Sequence, residues 1–159
     1  MAVPLDPSKR FVRPAPLPRQ IVGVWFLACF FLIACDPYAD TRAELGEADA
    51  KRFDRGLRAA TPCWSCHDPR GDAFKIGPPL STLFGRKAGS VKGFPYSAAM
   101  LDSPVVWNAG SLDRFLENPQ AVVPYNRMLS APVADPRLRA DLIFFFSVRD
   151  RHSERILSR

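Results

Sequence analysis

The chain has 159 residues, a formal net charge of +6 and 47% hydrophobic residues, which suits one folded domain with an appendage. Half of the net charge lies before Cys35, and the rest of the chain mixes both signs. No basic run, interleaved aromatic pattern or binding motif accompanies the positive charge, so we expect no nucleic-acid partner.

Residues 21–35 form an apolar run without a charged residue. At about 1.5 Å per residue a helix of this length reaches roughly 22 Å, which is short of the ~30 Å hydrocarbon core and closer to a signal peptide. Cationic residues precede the run and acidic residues follow it, which predicts export of the remainder. Leu32-Ile33-Ala34-Cys35 resembles a bacterial lipobox. Two interpretations stay open, a lipidated Cys35 or an uncleaved membrane anchor.

The spacing of apolar residues after the run predicts an all-α protein. Residues 36–46 are expected to be a linker, and 47–159 a folded domain whose first helix covers 47–60 and stops before Pro62. Residues 63–110 are rich in Gly and Pro and predict loops. A short helix is expected from Ser111 to before Pro119, and a last helix through residue 150, with Asp135 as N-cap and Pro136 at its first position.

Cys63-Trp64-Ser65-Cys66-His67 is a C-x-x-C-H motif, the attachment pattern of haem c. Two thiols about one turn apart can each add to a vinyl group, and the adjacent histidine then lies below the iron. A zinc site and a redox dithiol are the alternatives. The first needs a fourth ligand, for which the exported chain offers only Cys35 and His152, and the second needs a βαβ setting.

From Cys63 to about Arg149 the chain resembles class I cytochromes c of the mitochondrial and α-proteobacterial type. The resemblance rests on the C-x-x-C-H motif and on five later segments. These segments are Gly77-Pro78-Pro79-Leu80, Leu83–Gly89, Gly93–Tyr96 with Trp107, Phe115–Pro119 and Pro124–Met128. It implies three to four helices around one covalently bound haem c.

The resemblance also implies roles for individual residues. Pro78 would place its carbonyl oxygen against the ring N–H of His67, which fixes the orientation of a metal-bound imidazole. Arg86, Tyr96 and Trp107 would donate hydrogen bonds to a haem propionate. The iron would be held by His67 and Met128, an axial pair that raises the reduction potential.

Two residues compete with Met128 for the distal position. Met100 lies in a stretch that covers the haem edge in the family, and a role in filling space there is favoured over ligation. His152 is expected after the last helix and is favoured as a surface residue. The chain departs from the family where the first helix crosses the last. The residue four positions after Gly56 is Ala60, where the family has an aromatic residue. We expect a closer crossing.

The sequence therefore predicts an electron carrier and not an enzyme, without a small-molecule substrate. By analogy with its family it would shuttle electrons from a quinol–cytochrome c reductase to a terminal oxidase or a photosynthetic reaction centre. The alternative is a dedicated haem subunit of one membrane complex. We expect it on the periplasmic face of the bacterial inner membrane, tethered by residues 1–35. Either a docking surface or ordinary solvated charge would explain the basic residues of the haem-edge loops, which are Arg70, Lys75, Arg86, Lys87, Lys92 and Arg127.

Overall fold

The structure is a computed structural model that describes residues 36–69 and 71–158. Residues Tyr38–Arg159 form one compact unit. The predictions for residues 1–35, including Cys35, and for Arg70 lie outside the described residues. Among the helices of the described part, none is long and apolar enough to cross a membrane.

The described residues form helices joined by loops, with an isolated antiparallel bridge between Lys87 and Val106 as their only β-type pairing. The helices are α1 (Ala39–Ala43), α2 (Glu47–Ala60), a 3₁₀ helix (Thr61–Ser65), α3 (Ala98–Asp102), α4 (Ala109–Glu117), α5 (Pro119–Val122) and α6 (Pro136–Leu157). Three of these helices have nine residues or more. The prediction of an all-α protein is confirmed.

Side-chain caps decide where the two later long helices begin. Asp135 accepts a hydrogen bond from the backbone N–H of Arg137 at 2.8 Å, and Pro136 is the first residue of α6, as predicted. Helix α4 begins at Ala109, two residues before the predicted start. Asn108 and Ser111 form a reciprocal capping box there, with each side chain 2.9 Å from the backbone nitrogen of the other residue.

Helices α2 and α6 cross in close contact at Gly56, which is buried. A methyl group on Gly56 would lie 2.1 Å from the carbonyl oxygen of Asp141 and 2.7 Å from Cβ of Phe145, so only glycine fits. Phe53, Phe145 and Leu142 are the largest fully buried side chains and surround this contact. The two helices therefore cross closely at Gly56, whereas the expectation that they cross more closely than in the family stays a prediction.

An ion cluster flanks the crossing. Asp141 accepts hydrogen bonds from Arg55 at 2.6 Å and from Arg52 at 3.2 Å, which joins α6 to α2. The hydrogen bond from Arg55 is the main reason why the pKa of Asp141 is lowered.

The stretch 36–46, expected to be a linker, contains helix α1 and packs against the domain. The Tyr38 ring lies edge-on to Phe53 and Phe145, with centroids 5.6 and 5.7 Å apart, and Thr41 is buried. Glu44 accepts a hydrogen bond from Arg155 at 2.6 Å. Most of this stretch is therefore part of the folded unit, and this differs from the free linker that the sequence suggested.

The last helix continues beyond Asp150 to Leu157, so the expectation that His152 follows the helix is wrong. Its side chain is about one-fifth exposed and its Nδ1 lies 3.8 Å from a carboxylate oxygen of Glu44. Glu44 pairs with Arg155 and lies near His152. The last two turns of α6 therefore contact the residues at the start of the folded unit.

Candidate haem site

The C-x-x-C-H motif lies in a tight turn directly after α2. The 3₁₀ helix holds Cys63, and the carbonyl oxygen of Cys63 accepts from the backbone N–H groups of Cys66 and His67 at 3.1 and 2.9 Å. This turn places the two thiols about one helical turn apart. Cys63 and Cys66 are not joined by a disulfide, so both sulfurs are free to form thioethers.

A backbone carbonyl sets the tautomer of His67. Its Nδ1 lies 2.6 Å from the carbonyl oxygen of Pro78, and because a carbonyl only accepts, Nδ1 carries the proton and donates. The lone pair is then on Nε2, the atom available to a metal. This contact was expected from the resemblance, and it gives the imidazole the orientation and basicity that metal ligation requires.

The backbone of Gly77 packs closely against the same ring. A methyl group at this position would lie 2.4 Å from Cε1 and 2.9 Å from Nε2 of His67, so the ring is held between Gly77 and the Pro78 carbonyl. The backbone N–H of Gly77 donates to the carbonyl oxygen of Cys66 at 2.7 Å. The histidine and the Gly77-Pro78 segment therefore form one unit.

Burial controls the protonation of the site. It lowers the pKa of His67, the Pro78 hydrogen bond opposes this shift, and the nearby charge of Lys75 adds to it. Burial also raises the pKa of the Cys63 thiol. The imidazole is therefore held in the neutral form that donates a lone pair to iron.

Met128 lies in a loop fixed by the buried Asn126. The side chain of Asn126 donates to the carbonyls of Pro119 and Val123 at 2.9 and 2.8 Å, and its oxygen accepts the backbone N–H of Met128 at 2.8 Å. Met128 itself is half-buried against the core. Met100 also packs against the core, from α3. The assignment of Met128 as the distal ligand stays a prediction.

Arg86 lies near Tyr96 and its backbone pairs with that of Trp107, but their role at a haem propionate stays a prediction, and Arg86 has partners that the sequence did not suggest. Its guanidinium donates to the carbonyls of Ser81 and Pro79 at 2.9 and 3.1 Å, and its own carbonyl accepts the backbone N–H of Trp107. Burial lowers the pKa of Arg86, whereas the neighbouring Tyr96 opposes the shift. Five guanidinium donors leave capacity for a carboxylate beside these carbonyls.

Two further charged residues near the site were not found from the sequence. Arg149 and Asp150 are 6% and 3% exposed and bind the loops around His67 from helix α6. Their sequence signal is weak, because Arg-Asp near the end of an amphipathic helix usually lies in solvent.

The side chains fit a haem group held through two thioethers and an imidazole. The fit rests on the free thiols of Cys63 and Cys66, the lone pair on Nε2 of His67 and the close approach of Gly77. With the all-α fold, these features define a c-type cytochrome of class I.

Comparison with known proteins supports this class. No protein-family model matches the chain. Cytochrome c2 of Rhodomicrobium vannielii is 38% identical over 96 residues, which are 60% of this chain and 77% of that protein. Cytochrome c of Cochliobolus lunatus is 42% identical over 100 residues, covering 62% and 91%. The structure of cytochrome cH from Methylobacterium extorquens aligns with a TM-score of 0.56 and 29% identity, over 60% of this chain and 96% of that one.

The chain therefore belongs to the cytochrome c family. It is a mono-haem electron carrier and not an enzyme, and it carries one covalently attached haem c.

Proposed function

We propose that the chain shuttles electrons from a quinol–cytochrome c reductase to a terminal oxidase or a photosynthetic reaction centre. Cys63 and Cys66 would form the thioethers, and His67 and Met128 the axial pair. The observation that carries this proposal is the neutral His67, whose Nδ1 donates to Pro78 at 2.6 Å and whose Nε2 keeps its lone pair. When bound, haem c supplies a one-electron iron couple. With His67 and Met128 both bound to the iron, the protein would leave no site on it for a small-molecule substrate, and outer-sphere electron transfer would be its chemistry.

Arg86, Tyr96 and Trp107 would bind a propionate of the group. A buried carboxylate needs donors of this kind, and charge-assisted bonds from a guanidinium are the strongest of them. The carbonyl partners of Arg86 orient its guanidinium, so the donors would be in place before the carboxylate is bound.

Basic side chains in the haem-edge loops support a diffusing carrier. Lys75, Lys87, Lys92 and Arg127 are exposed, and the apolar side chains of Ile76, Tyr125 and Leu129 are more than four-fifths exposed beside them in sequence. Exposed apolar and basic side chains in the same loops suit a short-lived protein contact. Arg86 is half-buried and bonded to carbonyls, so we assign it to the interior and not to the rim.

Salt dependence separates the shuttle from the alternative, a dedicated subunit of one complex. Exposed charges are screened over about 8–10 Å at physiological salt, so the second-order rate with an acidic partner should fall steeply as salt rises. We expect Lys87→Glu and Arg127→Glu each to slow the reaction at least about threefold at low salt, because steering depends on these charges. Stopped-flow oxidation by a purified terminal oxidase measures this.

Lys51→Glu is the matched control, since Lys51 is an exposed lysine on α2 that pairs with Glu47. Its rate should stay close to that of the wild type. A rate that is flat in salt and unchanged in both loop variants would reject the shuttle and favour the subunit.

The proposed location is the periplasmic face of the bacterial inner membrane, with the chain tethered through Cys35 or an uncleaved anchor. The basic residues before the apolar run and the acidic residues after it support this orientation. Intact-mass analysis of the native protein should show a mature chain that begins at acylated Cys35, and Cys35→Ser should leave a longer precursor in the membrane. A mass that starts at Met1 would instead identify the uncleaved anchor.

A further inference from the structure

The backbone beside the axial histidine is held by charged side chains. Residues 77–84, all of them described, contain neither helix nor strand. Pro78 accepts from His67, while the carbonyls of Pro79 and Ser81 accept from Arg86 at 3.1 and 2.9 Å. Backbone hydrogen bonds hold its ends, at Gly77 and Leu83, and between them the carbonyls of residues 78–81 accept from side chains and not from a backbone ladder.

Asp150 holds the far end of that segment. Its carboxylate is 3% exposed, and one oxygen accepts the backbone N–H groups of Leu83 and Phe84 at 2.6 and 3.0 Å. The preceding residue, Thr82, has a φ of 45°, a left-handed conformation that a β-branched residue rarely adopts. Two charge-assisted hydrogen bonds directly after it stabilise this turn.

Arg149 connects the same carboxylate to two loop segments near His67, one at Pro69 and one at Leu80. Its guanidinium donates to the other Asp150 oxygen from Nε at 3.2 Å and from Nη2 at 2.9 Å. It also donates to the carbonyl of Leu80 and, at 3.3 Å, to that of Pro69, two residues after His67. The ring of Phe146 lies below it, 4.9 Å from the guanidinium carbon.

We infer that Arg149 and Asp150 are positioning residues for His67, which act through segment 79–84 on the hydrogen bond between Pro78 and the imidazole. They come from α6, so the last helix sets the ligand geometry without touching the ring. This inference rests on the proposed role of His67 as an iron ligand. A ligand-orienting carbonyl makes the imidazole a stronger donor, and a stronger donor favours the ferric state.

Two variants test the inference in the haem-loaded protein. Asp150→Asn keeps the shape of the side chain but removes the charge and replaces one acceptor oxygen by an NH2 group, so the side chain can no longer accept both from Leu83 and Phe84 and from Arg149. Arg149→Lys keeps the charge but cannot reach all of its present acceptors at once. In both we expect the His67 Nδ1 proton to exchange with solvent at least tenfold faster by NMR, and the reduction potential to rise. Asp150→Asn should show the larger rise, because it also loses a buried negative charge.

Asp141→Asn is the matched control, since Asp141 is another carboxylate of α6 bonded to arginines, but those arginines are on α2. It should leave the potential unchanged. The exchange rate of the His67 proton in each variant is compared with that of the wild type in enough urea to give both proteins the same free energy of unfolding. A general loss of stability then does not count as support. If Asp150→Asn does not fold, the exchange rate and the reduction potential of Arg149→Lys alone test the inference.

Two results would overturn the inference. One is a lower melting temperature in both variants with exchange and potential at the matched wild-type values, which identifies an ion pair that only stabilises the fold. The other is a potential that moves in Asp150→Asn alone, which identifies an effect of charge and not of geometry. A wild-type spectrum without histidine ligation would reject the proposed function first, before any variant is measured.

Discussion

Met128→Ala should remove the weak absorption band that a thioether–iron bond gives the ferric protein, and should lower the reduction potential. A thioether is a weak donor that favours ferrous iron, and water or another ligand in its place favours the ferric state. Alanine leaves the loop in place, because the Met128 backbone N–H still donates to Asn126. The result expected is therefore a change at the iron in a folded protein, measured by visible spectroscopy and redox titration.

Met100→Ala is the control for this prediction. Met100 is half-buried against the core, so its truncation costs about 2 kcal/mol of folding free energy. The backbone N–H of residue 100 still donates to Ser97, the N-cap of α3, so the helix start is unchanged. The thioether band and the potential should stay as in the wild type. Loss of the band in Met100→Ala, with its retention in Met128→Ala, would reverse the ligand assignment.

Gly56→Ala should strongly destabilise the domain. The new Cβ would lie 2.1 Å from the carbonyl oxygen of Asp141, a backbone atom that moves only if α2 and α6 separate. Overpacking usually costs 1–3 kcal/mol, and a backbone clash at the main helix crossing should exceed about 3 kcal/mol. Chemical denaturation of the haem-loaded protein measures the loss as a lower midpoint.

Gly110→Ala provides the comparison, because the same methyl group at this position in α4 meets no atom closer than 3.5 Å. There the higher helix propensity of alanine should leave stability equal or raised by up to about 1 kcal/mol. Equal denaturation midpoints for the two variants would contradict the close crossing.

Much of the helical framework could be predicted because its signals are local. The apolar spacing of residues 47–60 and the Asp135-Pro136 pair marked α2 and the start of α6. The sequence predicts the start of α4 at Ser111, two residues late, because the helix is capped by Asn108 and Ser111 is its partner in a capping box. The turn that holds Cys63, Cys66 and His67 could be predicted, since its residues are contiguous.

The remaining differences come from tertiary contacts that no local pattern carries. Residues 36–46 lack an apolar period, and tertiary contacts order them, among them the packing of Tyr38 against Phe53 and Phe145 and the bond of Glu44 to Arg155. Half of the residues from 150 to 157 are charged, and their helix is supported by the bond between Arg155 and Glu44, 111 residues away. Burial of Arg149 and Asp150 depends on loops that the sequence leaves without a predicted shape.

The loop that carries Met128 is pinned at both ends. Asn126 fixes its start, and Arg139, which is 5% exposed, donates to the carbonyls of Val133 and Ala134 at 2.9 and 3.0 Å near its end. The residues between these two fixed points, 127–132, are mostly exposed. Such a short span can open as a small cooperative unit while the helices stay folded. Exchange of the methionine for another ligand would then be a local fluctuation, with a free-energy cost well below that of global unfolding.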